Sequence, residues 1–217
     1  MKINFNTGDG VKIVGNWLCP AGAAYAALLL HMMPAVKESY APLQKALEAS
    51  GVASFAIDLR GHGESTQDAR GEILDYKNFT DAQHQASRLD VDAAFNFLKS
   101  KEFDENKIAL VGASIGANLA IDAMARYKEI KRAVALSPGL DYRGVKTDSA
   151  IKNLNSGQKI WLIAGQNDEY SAQSVAALHK IKEISSQLTV FPGPDHGTNL
   201  FSSQKTLVAD IVKFICP

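Results

Sequence analysis

Short, uninterrupted apolar runs alternate with amphipathic segments along this chain from about residue 25 onward. Runs of this kind are typical of strands that are buried on both faces of a parallel sheet. The segments between them repeat apolar residues at the spacing of a helix. The alternation therefore constrains the chain to a mostly parallel sheet with helices packed on both faces.

The pattern predicts an α/β fold with an eight-stranded sheet, formed by residues 1–217 as one domain. Six strands are predicted at residues 25–31, 52–58, 107–111, 133–137, 160–164 and 187–191. Six helices are predicted at residues 39–50, 80–100, 114–127, 147–154, 171–181 and 199–215. An antiparallel hairpin is predicted before them, with strands at 5–7 and 11–17 and a turn at 8–10.

The composition narrows the classes of function. Lys plus Arg and Asp plus Glu each number 23, so the formal net charge of zero argues against nucleic acid or an anionic membrane as a partner. No apolar run approaches the ~18 residues of a membrane span, and the first residues lack a secretory apolar region. Cys19 and Cys216 form neither a disulfide framework nor a metal-ligand spacing. We expect a cytoplasmic protein without a metal or organic cofactor.

The sequence Gly-Ala-Ser-Ile-Gly at 112–116 lies where a predicted strand meets a predicted helix. A sharp turn at this point would lift the Ser114 hydroxyl out of the sheet as a nucleophile. Glycine at 112 and 116 avoids side chains that would collide with the strand or the helix. A serine nucleophile also needs a base, an acid that orients the base, and donors for the oxyanion.

The orienting acid is predicted to be Asp168. Ligands of parallel α/β sheets bind at the carboxyl ends of the strands, so the partners of Ser114 are expected there. Asp168 follows the predicted strand at 160–164 and precedes a helix. Glu169 and Asp141 are alternative acids, and capping of the next helix is the alternative interpretation of Asp168.

The base is predicted to be His196, which lies in a loop after the last predicted strand. A surface histidine in a turn is the alternative interpretation. The chain order Ser114, Asp168, His196 differs from the orders of chymotrypsin-like and subtilisin-like proteases. The remaining histidines end a strand, lie in a turn or fall within predicted helices: His31, His62, His84 and His179.

Two backbone N–H groups are needed to bind the oxyanion. Ile115 follows Ser114 at a helix N-terminus, where the helix dipole also favours negative charge. The second donor is expected in the loop after the strand at 25–31, where Pro34 has no N–H. Met33 is the predicted donor, and Met32 is the alternative.

Together these motifs resemble the α/β-hydrolase fold family, over residues 11 to 215. The sequence Asp-Leu-Arg-Gly-His-Gly-Glu-Ser at 58–65 resembles the family's loop after its fourth strand, which implies a structural role for His62. A departure from the family is His31-Met32, where its members often have His-Gly. Only 21 residues separate Ser137 and Lys159, so no large cap domain is expected.

The resemblance is to small lidless esterases, thioesterases and dienelactone-hydrolase-like proteins, although the last have cysteine where this chain has Ser114. It implies a serine hydrolase that cleaves carboxylic esters of small soluble acyl substrates. Thioesterase or peptidase activity and a non-catalytic binding protein on the same scaffold are the alternatives. The sequence leaves the oligomeric state open. Residues that would line the substrate site or belong to the core are Met32, Met33, Tyr142, Trp161 and Leu200.

Overall fold

The predicted alternation of strands and helices forms an eight-stranded sheet in the computed structural model, which describes residues 1–216. The strand order is β1-β2-β4-β3-β5-β6-β9-β10. Pairs β1–β2 and β2–β4 are antiparallel, and the remaining pairs are parallel. The strands of this sheet are β1 Lys2–Asn6, β2 Lys12–Leu18, β3 Ala26–Leu30, β4 Ala53–Ile57, β5 Ile108–Ala113, β6 Arg132–Leu136, β9 Lys159–Gly165 and β10 Ser186–Phe191.

Helices cover both faces of the sheet, which explains why its central strands are apolar throughout. Successive residues of a strand point to opposite faces, so Leu28 and Leu30 pack into one core and Leu29 packs into the other. Helices α3 to α6 cover the first face, and α1 and α8 cover the second. The helices are α1 Ala41–Ala49, α2 Asp81–Gln85, α3 Arg88–Ser100, α4 Ile115–Arg126, α5 Asp148–Lys152, α6 Glu169–Ile181, α7 Leu200–Ser203 and α8 Leu207–Ile215.

Two predicted helices are interrupted in the structure. The helix predicted at 80–100 divides into α2 and α3, because the backbone tightens at Ala86 and Ser87 into i to i+3 hydrogen bonds. The helix predicted at 199–215 divides into α7 and α8, because Gln204 takes a non-helical conformation. Apolar periodicity continues across both interruptions, so the pattern alone did not reveal them.

The segment between β6 and β9 contains no large cap domain, as predicted. It holds a two-stranded hairpin, β7 Asp141–Tyr142 and β8 Val145–Lys146, followed by α5. Arg143 and Gly144 both have positive φ, as a two-residue hairpin turn with the right twist requires. Strands of two residues are too short to give a periodic pattern, and the hairpin was not predicted.

The carboxyl ends of β3, β5, β6, β9 and β10 lie at one edge of the sheet, since these strands run parallel. Every predicted site residue follows one of these ends. Within residues 1–216, no helix is long and apolar enough to span a membrane.

Candidate active site

Ser114 lies in a strained turn between β5 and α4. Its φ of 54° and ψ of −121° fall in a region that non-glycine residues rarely adopt. The turn is fixed by a bond of 2.8 Å from the Ser114 N–H to the Leu136 carbonyl and by one of 2.9 Å from the Ala117 N–H to the Ser114 carbonyl. The residue is 9% exposed, so Ser114 is largely buried at this edge of the sheet.

The two glycines of the motif allow the backbone to pack closely around this turn. A Cβ atom on Gly112 would lie 2.1 Å from the carbonyl oxygen of Gly116. A Cβ atom on Gly116 would lie 2.2 Å from the Leu30 carbonyl oxygen and 2.6 Å from that of His31. The first turn of α4 therefore packs directly on the end of β3, where the loop with the predicted oxyanion donor begins.

His196 and Asp168 form a short hydrogen bond between two loops at this edge. The distance from His196 Nδ1 to Asp168 Oδ2 is 2.7 Å, and both side chains are partly buried. A carboxylate only accepts hydrogen bonds, so Nδ1 carries the proton and Nε2 is left as the acceptor. Within residues 1–216, no hydrogen bond joins Nε2 to the Ser114 hydroxyl, a contact that in free enzymes often tightens only when substrate binds.

The loop with His196 packs against the turn with Ser114. Gly197 has a φ of 57°, and a Cβ atom on it would lie 3.3 Å from the Cβ of Ala113 and 2.5 Å from Met32 Sδ. The residue after His196 therefore contacts both the residue before Ser114 and the loop after β3. This packing brings the three predicted catalytic residues to one place.

Ser137 holds the His196 loop in position, a role that the sequence analysis missed. Its Oγ accepts a hydrogen bond of 2.9 Å from the Gly197 N–H in the buried interior. Ser137 has a φ of 52°, so the end of β6 is itself strained. A polar residue at the end of the strand predicted at 133–137 was the available signal, but its partner lies 60 residues away in the chain.

The alternative acids lie apart from His196. The Asp141 carboxylate accepts a hydrogen bond of 2.7 Å from the Gly144 N–H and closes the β7–β8 turn. Glu169 is exposed at the first position of α6. Of the three candidates, Asp168 is the one that contacts His196 in the structure.

The loop after β3 presents the N–H of Met33. His31 is buried; its Nε2 accepts from the Leu59 N–H at 3.0 Å, so its Nδ1 donates to the Met32 carbonyl at 2.9 Å. The N–H of the next residue in a planar trans peptide points away from that carbonyl. Within residues 1–216, the N–H groups of Met33 and Ile115 donate to no protein acceptor. Both groups are therefore available to a ligand.

The remaining candidates divide between the core and the site. His62 stacks on Tyr76 at a centroid distance of 3.8 Å, and burial lowers the pKa of its imidazole to about 4. Trp161 donates to Thr189 Oγ1 on the adjacent strand. Leu200 is fully buried, whereas the Tyr142 ring lies 6.4 Å from the His196 ring. Within residues 1–216, no group of three or more His, Cys, Asp or Glu side chains could hold a metal ion.

Comparisons with known proteins agree with this architecture. The family model described as serine aminopeptidase, S33, matches residues 24–163, a range that contains Ser114 and ends before Asp168 and His196. A polyketide transferase of a Penicillium species is 32% identical over 146 residues. That match covers 65% of this chain and 46% of the transferase, so the chain spans about half the length of this relative.

Solved structures share the fold across nearly the whole chain. An esterase of Pyrococcus furiosus superposes with a TM-score of 0.81 at 20% identity. The superposition covers 99% of this chain and 89% of the esterase. A dienelactone hydrolase of Anabaena variabilis superposes with a TM-score of 0.76 at 19% identity. The superposition covers 99% of this chain and 96% of the hydrolase. A carboxyl esterase of Bacillus coagulans superposes with a TM-score of 0.79 at 12% identity. The superposition covers 99% of this chain and 97% of the esterase. At these identities the likeness establishes the α/β-hydrolase fold.

Proposed function

This chain belongs to the serine aminopeptidase family, S33, and on that basis we propose that it hydrolyses carboxylic esters of small acyl compounds through a triad of Ser114, His196 and Asp168. The observation that carries the proposal is the His196–Asp168 pair, 2.7 Å apart, in loops packed on the strained Ser114 turn. A serine in a strained turn next to a loop that carries a base is the arrangement that activates a serine hydroxyl.

In the proposed first step, Ser114 attacks the acyl carbonyl while His196 Nε2 takes the hydroxyl proton. Asp168 accepts from Nδ1–H, keeps the imidazole in the required tautomer and stabilises its cationic form. The carbonyl oxygen becomes an oxyanion between the N–H groups of Met33 and Ile115. The N-terminus of α4, which begins at Ile115, adds the positive end of its dipole.

The tetrahedral intermediate then collapses. The bond between the acyl carbon and the alcohol oxygen breaks, and His196 gives its proton to the departing alcohol. Water, deprotonated by His196, then attacks the acyl-Ser114 ester. The bond between the acyl carbon and Ser114 Oγ breaks, His196 returns the proton to Oγ, and the acid is released. We also propose that the protein is cytoplasmic. The free thiols of Cys19 and Cys216 support this location.

The test is whether Ser114 carries the hydrolysis of simple esters. We expect the full chain to cleave p-nitrophenyl acetate and butyrate, and Ser114→Ala to lose at least about 10³-fold in kcat/KM. Ser156→Ala, a change outside the site, is the matched control and should retain wild-type turnover. A fluorophosphonate probe should label Ser114, as read by mass spectrometry of the peptide.

Other substrates of the same chemistry give distinct results. The family description favours amide substrates, and the polyketide transferase favours acyl transfer to an acceptor other than water. Aminoacyl p-nitroanilides and acyl thioesters should be cleaved with lower kcat/KM than the esters. A higher value on either would transfer the proposal to that class. Absence of both labelling and turnover would favour a binding protein on this scaffold.

A further inference from the structure

Tyr142 lies beside His196 at the candidate active site, with the two ring centroids 6.4 Å apart, and no step of the triad mechanism uses its hydroxyl. Tyr142 is the second residue of β7, in the hairpin that stands where a cap could insert. Its hydroxyl is 3.1 Å from Ser171 Oγ on α6, at the same edge of the sheet as Ser114 and His196. A polar group at this position is available to a substrate bound at Ser114.

The sheet order places this hydroxyl on the leaving-group side of Ser114. The loop with Met33 follows β3, which pairs with one edge of β5. Tyr142 follows β6, which pairs with the other edge, and Asp168 and His196 follow β9 and β10 beyond it. The Tyr142 ring is nearly perpendicular to the His196 ring, at 84°. A carbonyl oxygen facing Met33 directs the leaving group toward His196 and Tyr142.

Hydrogen bonds from α4 and α6 to the backbone of the β7–β8 hairpin region hold Tyr142 in a fixed position. The Tyr170 hydroxyl accepts from the Asp141 N–H at 3.0 Å and donates to the Asp141 carbonyl at 3.1 Å. The Asn118 side chain of α4 donates to the Val145 carbonyl at 2.7 Å and accepts from the Gly139 N–H at 3.0 Å. The hairpin is thus fastened to α4 and α6, and a hydroxyl held in advance stabilises developing charge without reorganisation.

The Tyr142 hydroxyl keeps its proton at neutral pH. Burial raises the pKa of this phenol above its ordinary value, the nearby charge of Asp168 raises it further, and the hydroxyls of Ser171 and Ser114 partly oppose the shift. The Ser171 hydroxyl lies 3.1 Å from the phenol oxygen and 3.5 Å from the Ser137 carbonyl, so its one proton can be donated to either. When Ser171 donates to the phenol oxygen, the Tyr142 proton is free to point toward a bound substrate. The group therefore acts as a hydrogen-bond donor and not as an anion.

We propose that Tyr142 donates a hydrogen bond to the leaving oxygen of the tetrahedral intermediate and thereby extends the activity to esters of unactivated aliphatic alcohols. This inference rests on the proposed function. As the bond from acyl carbon to oxygen breaks, its electron pair goes to the alcohol oxygen. His196 supplies the proton for that oxygen, and Tyr142 keeps its own proton while donating. A good leaving group needs this donor least, because it carries the charge itself.

The test compares esters of one acyl group with different alcohols. We expect Tyr142→Phe to lose more kcat/KM on ethyl acetate than on p-nitrophenyl acetate, raising the ratio of the two about tenfold or more. Phenyl acetate should fall between them. The matched control is Tyr170→Phe, which removes a hydroxyl of the same hairpin region that contacts the Asp141 backbone, and it should leave the ratio at the wild-type value.

An equal loss on all three esters in Tyr142→Phe would overturn the inference, because a structural role lowers every rate alike. A raised ratio in Tyr170→Phe would overturn it too, since hairpin displacement would then explain the effect. Ser114→Ala separates the two proposals. If the wild type cleaves these esters and Ser114→Ala does not, an unchanged ratio in Tyr142→Phe removes only the role of Tyr142. Failure of the wild type to cleave any ester would overturn both.

Discussion

At Ser114 a single residue takes a backbone conformation that costs free energy, and its neighbours maintain it. A Cβ atom on Gly112 would lie 2.1 Å from the Gly116 carbonyl oxygen, so the turn has room for a hydrogen atom there and not for a methyl group. A serine in an ordinary strand or helix would have its hydroxyl engaged by local backbone groups. The turn instead leaves the hydroxyl beside the His196 loop and the Tyr142 hairpin.

The contact between Asp168 and His196 predicts that catalysis depends on the Asp168 carboxylate. We expect Asp168→Asn to lower kcat/KM on p-nitrophenyl butyrate by roughly 10³-fold or more, because the amide neither fixes the tautomer nor stabilises the imidazolium. Glu169→Gln, adjacent and exposed, is the matched control and should change kcat/KM by less than about twofold. An active Asp168→Asn together with an inactive Asp141→Asn would assign the acid role to Asp141.

Among the elements, the loops after the strands depend on side chains from neighbouring strands. Ser137 directly follows β6, yet its Oγ accepts a hydrogen bond from the loop after β10. In the same way, a Cβ atom on Gly165 would lie 2.6 Å from the Asp195 carbonyl oxygen, so the loop with Asp168 packs on the one with His196. Each site residue is positioned by an element other than its own.

Removal of the Ser137 hydroxyl tests this dependence. We expect Ser137→Ala to lower the free energy of unfolding by about 1–3 kcal/mol, because the buried Gly197 N–H loses its acceptor. The displaced loop should also lower kcat for p-nitrophenyl butyrate. Ser137→Gly relieves the positive φ but lacks the same oxygen, so it should also lose activity. Full activity in Ser137→Gly would identify backbone strain, and not the hydrogen bond, as the cause.

At the scale of the whole molecule, buried histidines make the fold sensitive to acid. Burial lowers the pKa of His31 and of His62 from 6.5 to about 4. The unfolded chain therefore binds more protons than the folded chain between these values, and the free energy of unfolding falls as the pH falls through this window. From pH 7 to pH 5 the loss should be about 2 kcal/mol for each histidine.

Urea unfolding at pH 7 and pH 5 measures this loss. His62→Gln should reduce the difference between the free energies of unfolding at pH 7 and pH 5 by the contribution of one histidine, about 2 kcal/mol. His179→Gln, a change on the partly exposed face of α6, is the matched control and should leave the difference as in the wild type. The same pH difference in His62→Gln as in the wild-type chain would contradict the pKa shift of His62.

The sheet also explains which elements could be predicted. Strands β3 to β6 are continuous apolar runs, so their pattern alone indicated burial on both faces, and the hydrolase fold was confirmed. The β7–β8 hairpin has no such pattern, because two-residue strands are defined by their turn and by contacts to α4 and α6. The helix interruptions after Gln85 and Ser203 could not be predicted either, because the apolar spacing continues through them.

The sequence by itself determined what depends on neighbours along the chain: the strand and helix pattern, the glycine-flanked turn at Ser114, and the order of Asp168 and His196. Tertiary structure decided which of these residues meet. The contact of His196 with Asp168, the support of Gly197 by Ser137 and the approach of Tyr142 to His196 all follow from the strand order. That order is set by packing between segments far apart in the chain, which local patterns of hydrophobicity and turn chemistry do not encode.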